Sequence, residues 1–261
     1  TSVFQVELGV NEGAHFGAGG PKDGKRPEPV LLYLPRGEDN SASSQAFLSG
    51  AAWKTLAGDG NLVHLSSGGG SAWLVMREQV KGRWQAAAMK ISGNFDSGPQ
   101  CARFSPKDGQ LYVAGMTGWG TYTPLDGSFQ RVRFTGGAPV PVAFETRENG
   151  VLLRFDEPVP DTAADAAATF VQCWNYRYSA AYGSPEYSVR YPDVPGHDPL
   201  EVRGVHRIEG GKALFLEIPQ LVPAGQVHLR LATGQDLFLT LHELGEPYTA
   251  FTGYTWYPSA A

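Results

Sequence analysis

The chain has 261 residues, with 33 glycines, 19 prolines, 18% charged and 11% aromatic residues, and a formal net charge of −5. That many aromatics beside so few charges excludes a disordered chain, and no apolar run approaches the roughly 18 residues that would span a bilayer as a helix. Residues 1–136 carry 13 Lys/Arg against 11 Asp/Glu and residues 137–261 carry 8 against 15, so neither half has the dense basic stripe of a nucleic-acid binder.

The numbered chain starts at Thr1 with no signal peptide in view, which reads as a processed or truncated product. The first stretch, Gly9–Gly17, holds Asn11, Glu12 and His15 among glycines and is expected to be a structural loop. It lacks the oxygen-rich spacing of a calcium loop. Short apolar runs between turn residues then predict strands over Val30–Leu34, Leu62–Leu65, Ala72–Arg77, Gln85–Ile91, Leu111–Met116 and Phe129–Phe134. Asp59-Gly60, Asp108-Gly109, Asp126-Gly127 and Asn149-Gly150 supply the turn chemistry.

A weak repeat lies inside this region. Asp59-Gly60-Asn61-Leu62-Val63 returns as Asp108-Gly109-Gln110-Leu111-Tyr112, each copy followed by a glycine cluster. The spacing suits one four-stranded propeller blade, or a hairpin turn repeated by chance. Beyond Gly136-Gly137-Ala138-Pro139 the pattern changes to the evenly spaced strands of an immunoglobulin-like sandwich. Its strands are predicted over Val142–Glu145, Gly150–Phe155, Phe170–Tyr178, Ala213–Ile218, Val227–Ala232 and Asp236–Leu241, with Asn149-Gly150 turning the first hairpin. The best helical candidate is the short, alanine-rich Asp161–Ala168.

Cys101 and Cys173 form no metal or haem-attachment pattern; they read either as a disulfide or as two buried thiols. Gly68-Gly69-Gly70 is not a phosphate loop, because no Gly-Lys-Ser/Thr and no helix follow. Met76, Met89 and Met116 read as core residues rather than ligands to a haem iron. No Gly-x-Ser-x-Gly elbow and no His-Glu-x-x-His is present.

The candidate catalytic residue is His64, as a base or metal ligand, against the plainer reading of a strand residue bonded to the glycine loop. The candidate ligand-binding residues are Trp119, Arg131, Arg133, Trp174, Tyr176 and Tyr182. Trp174, Tyr176 and Tyr178 alternate and would share one face of a strand, either stacking on sugar rings or packing at an interface. Arg131 and Arg133 also alternate. They would make a basic face for an anionic cofactor or an acidic sugar, or a solvated, salt-bridged one.

The run Phe104-Ser105-Pro106-Lys107-Asp108-Gly109-Gln110-Leu111-Tyr112-Val113-Ala114-Gly115 carries a resemblance, together with Gly118-Trp119, Asp126-Gly127 and Arg131-Val132-Arg133-Phe134-Thr135-Gly136. So do Leu34-Pro35-Arg36-Gly37 with Asp39-Asn40-Ser41, Leu62-Val63-His64-Leu65-Ser66, and Gln172-Cys173-Trp174-Asn175-Tyr176-Arg177-Tyr178 with Tyr182-Gly183-Ser184. Across roughly residues 9–245 the chain resembles the closing segment of the large sugar- or sorbosone-dehydrogenase-like propeller proteins of planctomycetes and verrucomicrobia, which are often fused to cytochrome c modules. The resemblance implies an all-β chain, with the last blades of a β-propeller over 1–136, an immunoglobulin- or fibronectin-like β-sandwich over 137–245 and a tail over 246–261. It implies a periplasmic or extracellular location and an oxidoreductase-like role toward carbohydrate. The family's haem-attachment motif is absent from this chain, and residues 1–136 hold at most two or three blades. No cofactor is therefore expected here; a haem c or a quinone, and the remaining blades, would come from elsewhere in the assembly. The alternatives are a non-catalytic scaffold docking a cytochrome c or completing a propeller, and a carbohydrate-binding module.

Overall fold

A computed structural model describes residues 2–3 as backbone alone and residues 29–118, 121–177 and 184–255 in full. In chain order the strands are β1 (Ser2–Val3), β2 (Leu32–Tyr33), β3 (Ala42–Phe47), β4 (Leu62–Ser66), β5 (Ser71–Val80), β6 (Arg83–Lys90), β7 (Pro99–Phe104), β8 (Leu111–Met116) and β9 (Gly127–Val132). They continue as β10 (Pro141–Arg147), β11 (Gly150–Phe155), β12 (Phe170–Trp174), β13 (Asp198–Leu200), β14 (Gly204–Ile208), β15 (Ala213–Glu217), β16 (Ala224–Arg230) and β17 (Asp236–Leu241). The chain is all-β, in antiparallel sheets, and no sheet closes on itself among the described residues.

The largest sheet has eight strands in the order β13-β12-β16-β17-β6-β5-β4-β3. Its middle joint is β17 on β6, with Leu237 opposite Met89 and Leu239 opposite Ala87. The expected boundary at 136/137 falls between β9 and β10, and this sheet draws strands from both sides of it. A second sheet runs β10-β11-β15-β14, and a third is the meander β7-β8-β9.

Side-chain alternation explains the layering. One face of the large sheet presents Met76, Ala87, Leu237 and Leu239, which pack on Val151, Leu153, Leu214 and Leu216 of the second sheet. Further along the same face Val63, Leu65, Ala72 and Leu74 pack on Ala102, Leu111 and Val113 of the third sheet, with Trp53 of the 3-10 turn Ala51–Leu56 between them. Each fully buried aliphatic side chain of this kind contributes about 1.5–3 kcal/mol. The opposite face holds Trp73, Val75, Ala86, Ala88 and Phe238, covered by Leu31, Leu32 and Leu34 of the incoming strap. Strands β4 and β15 are buried at every position because both of their faces are covered.

One polar staple interrupts the apolar joint. Gln85 Nε2 donates to Thr146 Oγ1 at 2.7 Å and to Glu78 Oε2 at 2.9 Å. Its Oε1 accepts the backbone N–H groups of His242 and Glu243. Burial raises the Glu78 carboxyl above its ordinary value, partly offset by the donors Gln85 and Thr146.

Each of the twelve predicted ranges overlaps a strand: Leu111–Met116, Gly150–Phe155 and Asp236–Leu241 have the predicted ends, the others have shifted ends, and the predicted end of Phe170–Tyr178 lies outside the described residues. The repeat is structural as well. Gly60 and Gly109 both take positive φ, Asn61 and Gln110 both return a backbone carbonyl to the preceding strand, and β4 and β8 follow as the second strands of two meanders. The β10–β11 hairpin pairs Arg147 with Gly150, so the turn is Glu148-Asn149, one residue earlier than predicted. Gly150 is required there, because a Cβ would run into the Leu216 carbonyl oxygen. The alanine-rich Asp161–Ala168 forms one 3-10 turn, Asp161–Ala163. Asp165 Oδ1 takes the N–H groups of Ala167 and Ala168, a local competitor to helix.

Candidate functional site

His64 points to the strap-covered face of the large sheet, opposite Gln45 on β3 and Trp73 on β5. A turn at Pro35, whose carbonyl accepts the N–H groups of Glu38 and Asp39 at 3.0 Å, brings Asp39 over the ring. Asp39 Oδ2 lies 3.4 Å from Nε2 and Gln45 Nε2 lies 3.2 Å from Nδ1; both side chains of the His64–Asp39 pair are fully buried. With the Gln45 amide donating to Nδ1, the ring proton belongs on Nε2, toward Asp39. The glycine loop does not bond the imidazole. Gly68 and Gly69 donate their N–H groups to Asn40 O, and Ser66 Oγ both accepts from Asn40 N and donates to Asn40 O. His64 therefore fastens the strap and has no open side from which to serve a substrate as base.

Directly beside it the sheet opens. Beyond Lys90 and before Asp236 the β6–β17 ladder ends, and the segment Arg133–Val140 crosses the gap. The result is a cavity of about 490 Å³. Its lining comes from both faces of the large sheet, the nearly buried Trp53 with Phe134 on one and the nearly buried Trp73 and Phe238 on the other; Glu38, Lys90, Ser92, Arg133, Thr135, Gln235 and Asp236 supply its polar groups. A volume of roughly 300–1,000 Å³ with apolar walls and a few polar groups is usual for small-ligand sites. The crossing segment is fixed at both ends: Gln110 Oε1 accepts Phe134 N at 3.3 Å and Trp53 Nε1–H at 3.1 Å, and Gln235 Nε2 donates to Pro139 O at 2.9 Å.

Trp73 is 1% exposed, lies edge-on to Phe238 with ring centroids 5.9 Å apart, and its buried indole N–H has no hydrogen-bond partner. An unpaired buried donor costs about 1–3 kcal/mol.

The charges around the cavity differ in how far they are already satisfied. Burial works against ionisation of Asp236, but Arg230 and His228 outweigh it and hold the carboxyl below its usual value. Arg230 contacts both oxygens at 2.8 Å and His228 Nε2 lies 2.7 Å from Oδ1. Lys90 and Arg133 make no ion pair among the described residues.

The remaining candidates are dispersed. Arg131 and Arg133 part company because β9 ends at Val132: Arg133 lines the cavity, whereas Arg131 sits on the outer face of the third sheet, 3.5 Å from Asp108. Trp174 is 2% exposed and its ring is stacked on His197 at 4.0 Å, so that face is occupied. Tyr176 packs against Tyr33 at 4.9 Å and donates its hydroxyl to Gln226; burial raises its phenol. Trp119, Tyr182, Tyr178 and the His15 loop lie outside the described residues. In the long segment after Tyr182, described from Ser184, Asp198 accepts from the Ser188 hydroxyl and from the N–H groups of Val189 and Arg190.

Met76 is buried in the core, Met89 packs beside it, and Met116 is exposed. Both cysteines are free thiols, Cys173 buried and Cys101 exposed. Among the described residues no group of three or more His, Cys, Asp or Glu could hold a metal, and no helix is long and apolar enough to cross a membrane. Sequence patterning did not point to Trp73, Lys90 or Phe238, which the pairing of β6 with β5 and β17 brings to one opening, nor to Trp53 and Glu38, which the 3-10 turn and the strap add to it. In comparisons with known proteins, no family model matches the chain, and no curated protein and no solved structure does.

Proposed function

We propose that this chain is the C-terminal portion of an extracytoplasmic, sugar-dehydrogenase-like propeller protein and that it binds carbohydrate in the cavity between β6, β17 and the Arg133–Val140 segment. The observation carrying the binding role is the cavity itself, about 490 Å³ in volume and lined by aromatic residues together with the polar groups of Glu38, Lys90, Ser92, Arg133, Thr135 and Asp236. Aromatic faces receive the apolar C–H faces of a sugar ring, while side-chain donors and acceptors take its hydroxyls. Any redox cofactor, haem c or quinone, would be carried by the rest of the assembly. The test is a titration of the purified chain with neutral and acidic mono- and disaccharides, followed by tryptophan fluorescence and calorimetry. Saturable binding of at least one of these sugars is expected; no binding by any sugar overturns the reading.

A second role as scaffold rests on a separate feature. The outer face of β7-β8-β9 exposes Phe129 (73%) and Met116 (57%), Tyr122 (84%) and Leu125 (52%) are exposed in the β8–β9 connection, and among the described residues no strand pairs with the free edge of β9. An exposed apolar sheet face beside an open edge favours packing and pairing with a further sheet. The four-stranded meander β3-β4-β5-β6 packed on this three-stranded one suits two blades of a propeller completed by another polypeptide or another part of the same one. Size-exclusion chromatography with light scattering tests it. Self-association or capture of added upstream blades, abolished by Phe129→Asp, is expected; a concentration-independent monomer that ignores those blades overturns this role.

A further inference from the structure

Two exposed apolar patches of complementary charge belong to opposite ends of the eight-stranded sheet. The first is the outer face of β7-β8-β9, whose inner face packs on β4 and β5. Strand register sets this face in rows: Arg103, Tyr112 and Arg131 in one, Cys101, Ala114 and Phe129 in the next, Met116 and Gly127 in the third. Phe129 and Met116 thus stand opposite small residues and rise above them, with Tyr112 stacked on Phe129 at 5.7 Å. Asp108 lies 3.5 Å from Arg131. Arg103 reaches only the Ala102 carbonyl oxygen and the Cys101 sulfur, and makes no ion pair among the described residues.

The second patch is the turn Tyr191-Pro192-Asp193-Val194, which leads into the edge strand β13. Tyr191 is 65% and Val194 54% exposed, and the Asp193 side chain is almost wholly in solvent. The turn is fixed from within. Val194 N donates to Tyr191 O at 2.8 Å, Ser188 N donates to Val194 O at 2.9 Å, and Tyr191 N donates to Ser188 Oγ at 2.8 Å. Ser188 Oγ in turn donates to Asp198 of β13 at 2.7 Å, and Arg177 donates to Pro192 O and to Asp193 Oδ1. A tip already held in one conformation loses little freedom on docking, and tyrosine and arginine are the side chains that most often carry a protein contact.

The two edge strands β3 and β13 are separated by seven strand spacings, about 34 Å, so one copy does not bring its own turn to its own face. Charge favours a meeting between copies, since residues 1–136 are net positive and residues 137–261 net negative. We propose that the turn 191–194 of one copy docks on the outer face of β7-β8-β9 of a second copy, with Tyr191 and Val194 against Phe129 and Met116 and with Asp193 toward Arg103. This rests on the reading of that face as an interaction surface and commits it to one occupant. The two patches differ, so the contact is head-to-tail and lets copies add in series.

The experiment is sedimentation velocity on the whole chain over a range of concentrations, native and as Phe129→Asp and Tyr191→Asp. The native chain is expected to grow beyond a dimer as concentration rises, and less so at high salt. Each variant alone is expected to be a monomer. Their equimolar mixture is expected to form a one-to-one dimer and stop there, because it holds one intact turn and one intact face for each pair. Arg103→Glu is expected to weaken association at least tenfold, and Asp193→Lys in the same chain to restore part of it. All four positions are exposed, and unchanged urea midpoints verify the folds. Association that Phe129→Asp abolishes and Tyr191→Asp leaves intact overturns the turn as occupant and leaves the face standing; a mixture that stays monomeric does the same. Association untouched by Phe129→Asp overturns both. A native chain that is monomeric at every concentration overturns the proposal and leaves the face to the test with upstream blades.

Discussion

Glu78 on β5 accepts both hydrogen bonds that Thr146 on β10 can donate, the backbone N–H at Oε1 and the hydroxyl at Oε2, each at 2.9 Å. This contact joins the large sheet to the second one, across the stretch of sequence where the composition changes.

The contact gives the protein a pH signature. Burial raises the folded-state pKa of Glu78, so its contribution to stability is fully present below the ordinary carboxylate range and is lost as pH rises through the folded value. Glu78→Gln should remove that limb, and the difference in urea midpoint between native chain and variant should vary between pH 4 and pH 7. Parallel curves would refute it. Thr146→Val, which takes away the hydroxyl alone, should cost about 1–2 kcal/mol.

Asp198 has the opposite sign. Burial pushes its pKa up, but the N–H of Arg190, the Ser188 hydroxyl and the N–H of Val189 prevail and hold it below the usual value. Its contribution is therefore present above the unfolded carboxylate pKa and lost as pH falls through the folded one. Asp198→Asn should destabilise by about 1–3 kcal/mol at neutral pH and flatten the acid limb. Thermal unfolding between pH 3 and pH 7 measures this, and an unchanged acid limb would count against it.

The two thiols should separate cleanly. Burial pushes the Cys173 thiol up to about 11, with the Asp198 charge adding to the shift, whereas Cys101 is on the surface. An aromatic disulfide reagent should label Cys101 in the native protein and both in urea. Labelling of neither under denaturing, non-reducing conditions would mean a disulfide that this fold does not contain.

Gly150→Ala should be among the most damaging single-methyl changes in the chain. The residue sits at φ +153° with the Leu216 carbonyl where a Cβ would go. A loss of about 2 kcal/mol or more in urea unfolding is expected, since either the hairpin or the β11–β15 ladder must shift. A neutral substitution would show that the register relaxes without cost.

Strands buried on one or both faces were legible in the sequence, because their apolar content reports burial directly: Leu62–Leu65 and Ala213–Ile218 are examples. Strands β3 and β14 were not, because as edge strands they keep polar or exposed positions such as Ser43, Gln45 and Arg207. His64 and Arg133 were picked out by residue type, but their surroundings were not visible. Only the strap at Pro35 encloses the first, and only the end of β9 at Val132 sends the second into the cavity. Trp73 and Lys90 gave no signal of their own; their meeting is a consequence of strand register.

The β6–β17 joint also sets an order of events during synthesis. Strand β6 is complete early, yet its partner is the last strand of the large sheet to leave the ribosome. Until β17 arrives, the row of N–H and C=O groups on that side of β6 has nothing to pair with in its own chain, and a neighbouring nascent chain offers the same kind of strand. The last strand therefore does more than bring Asp236 and Phe238 to the cavity: it also closes the open side of a strand made long before it.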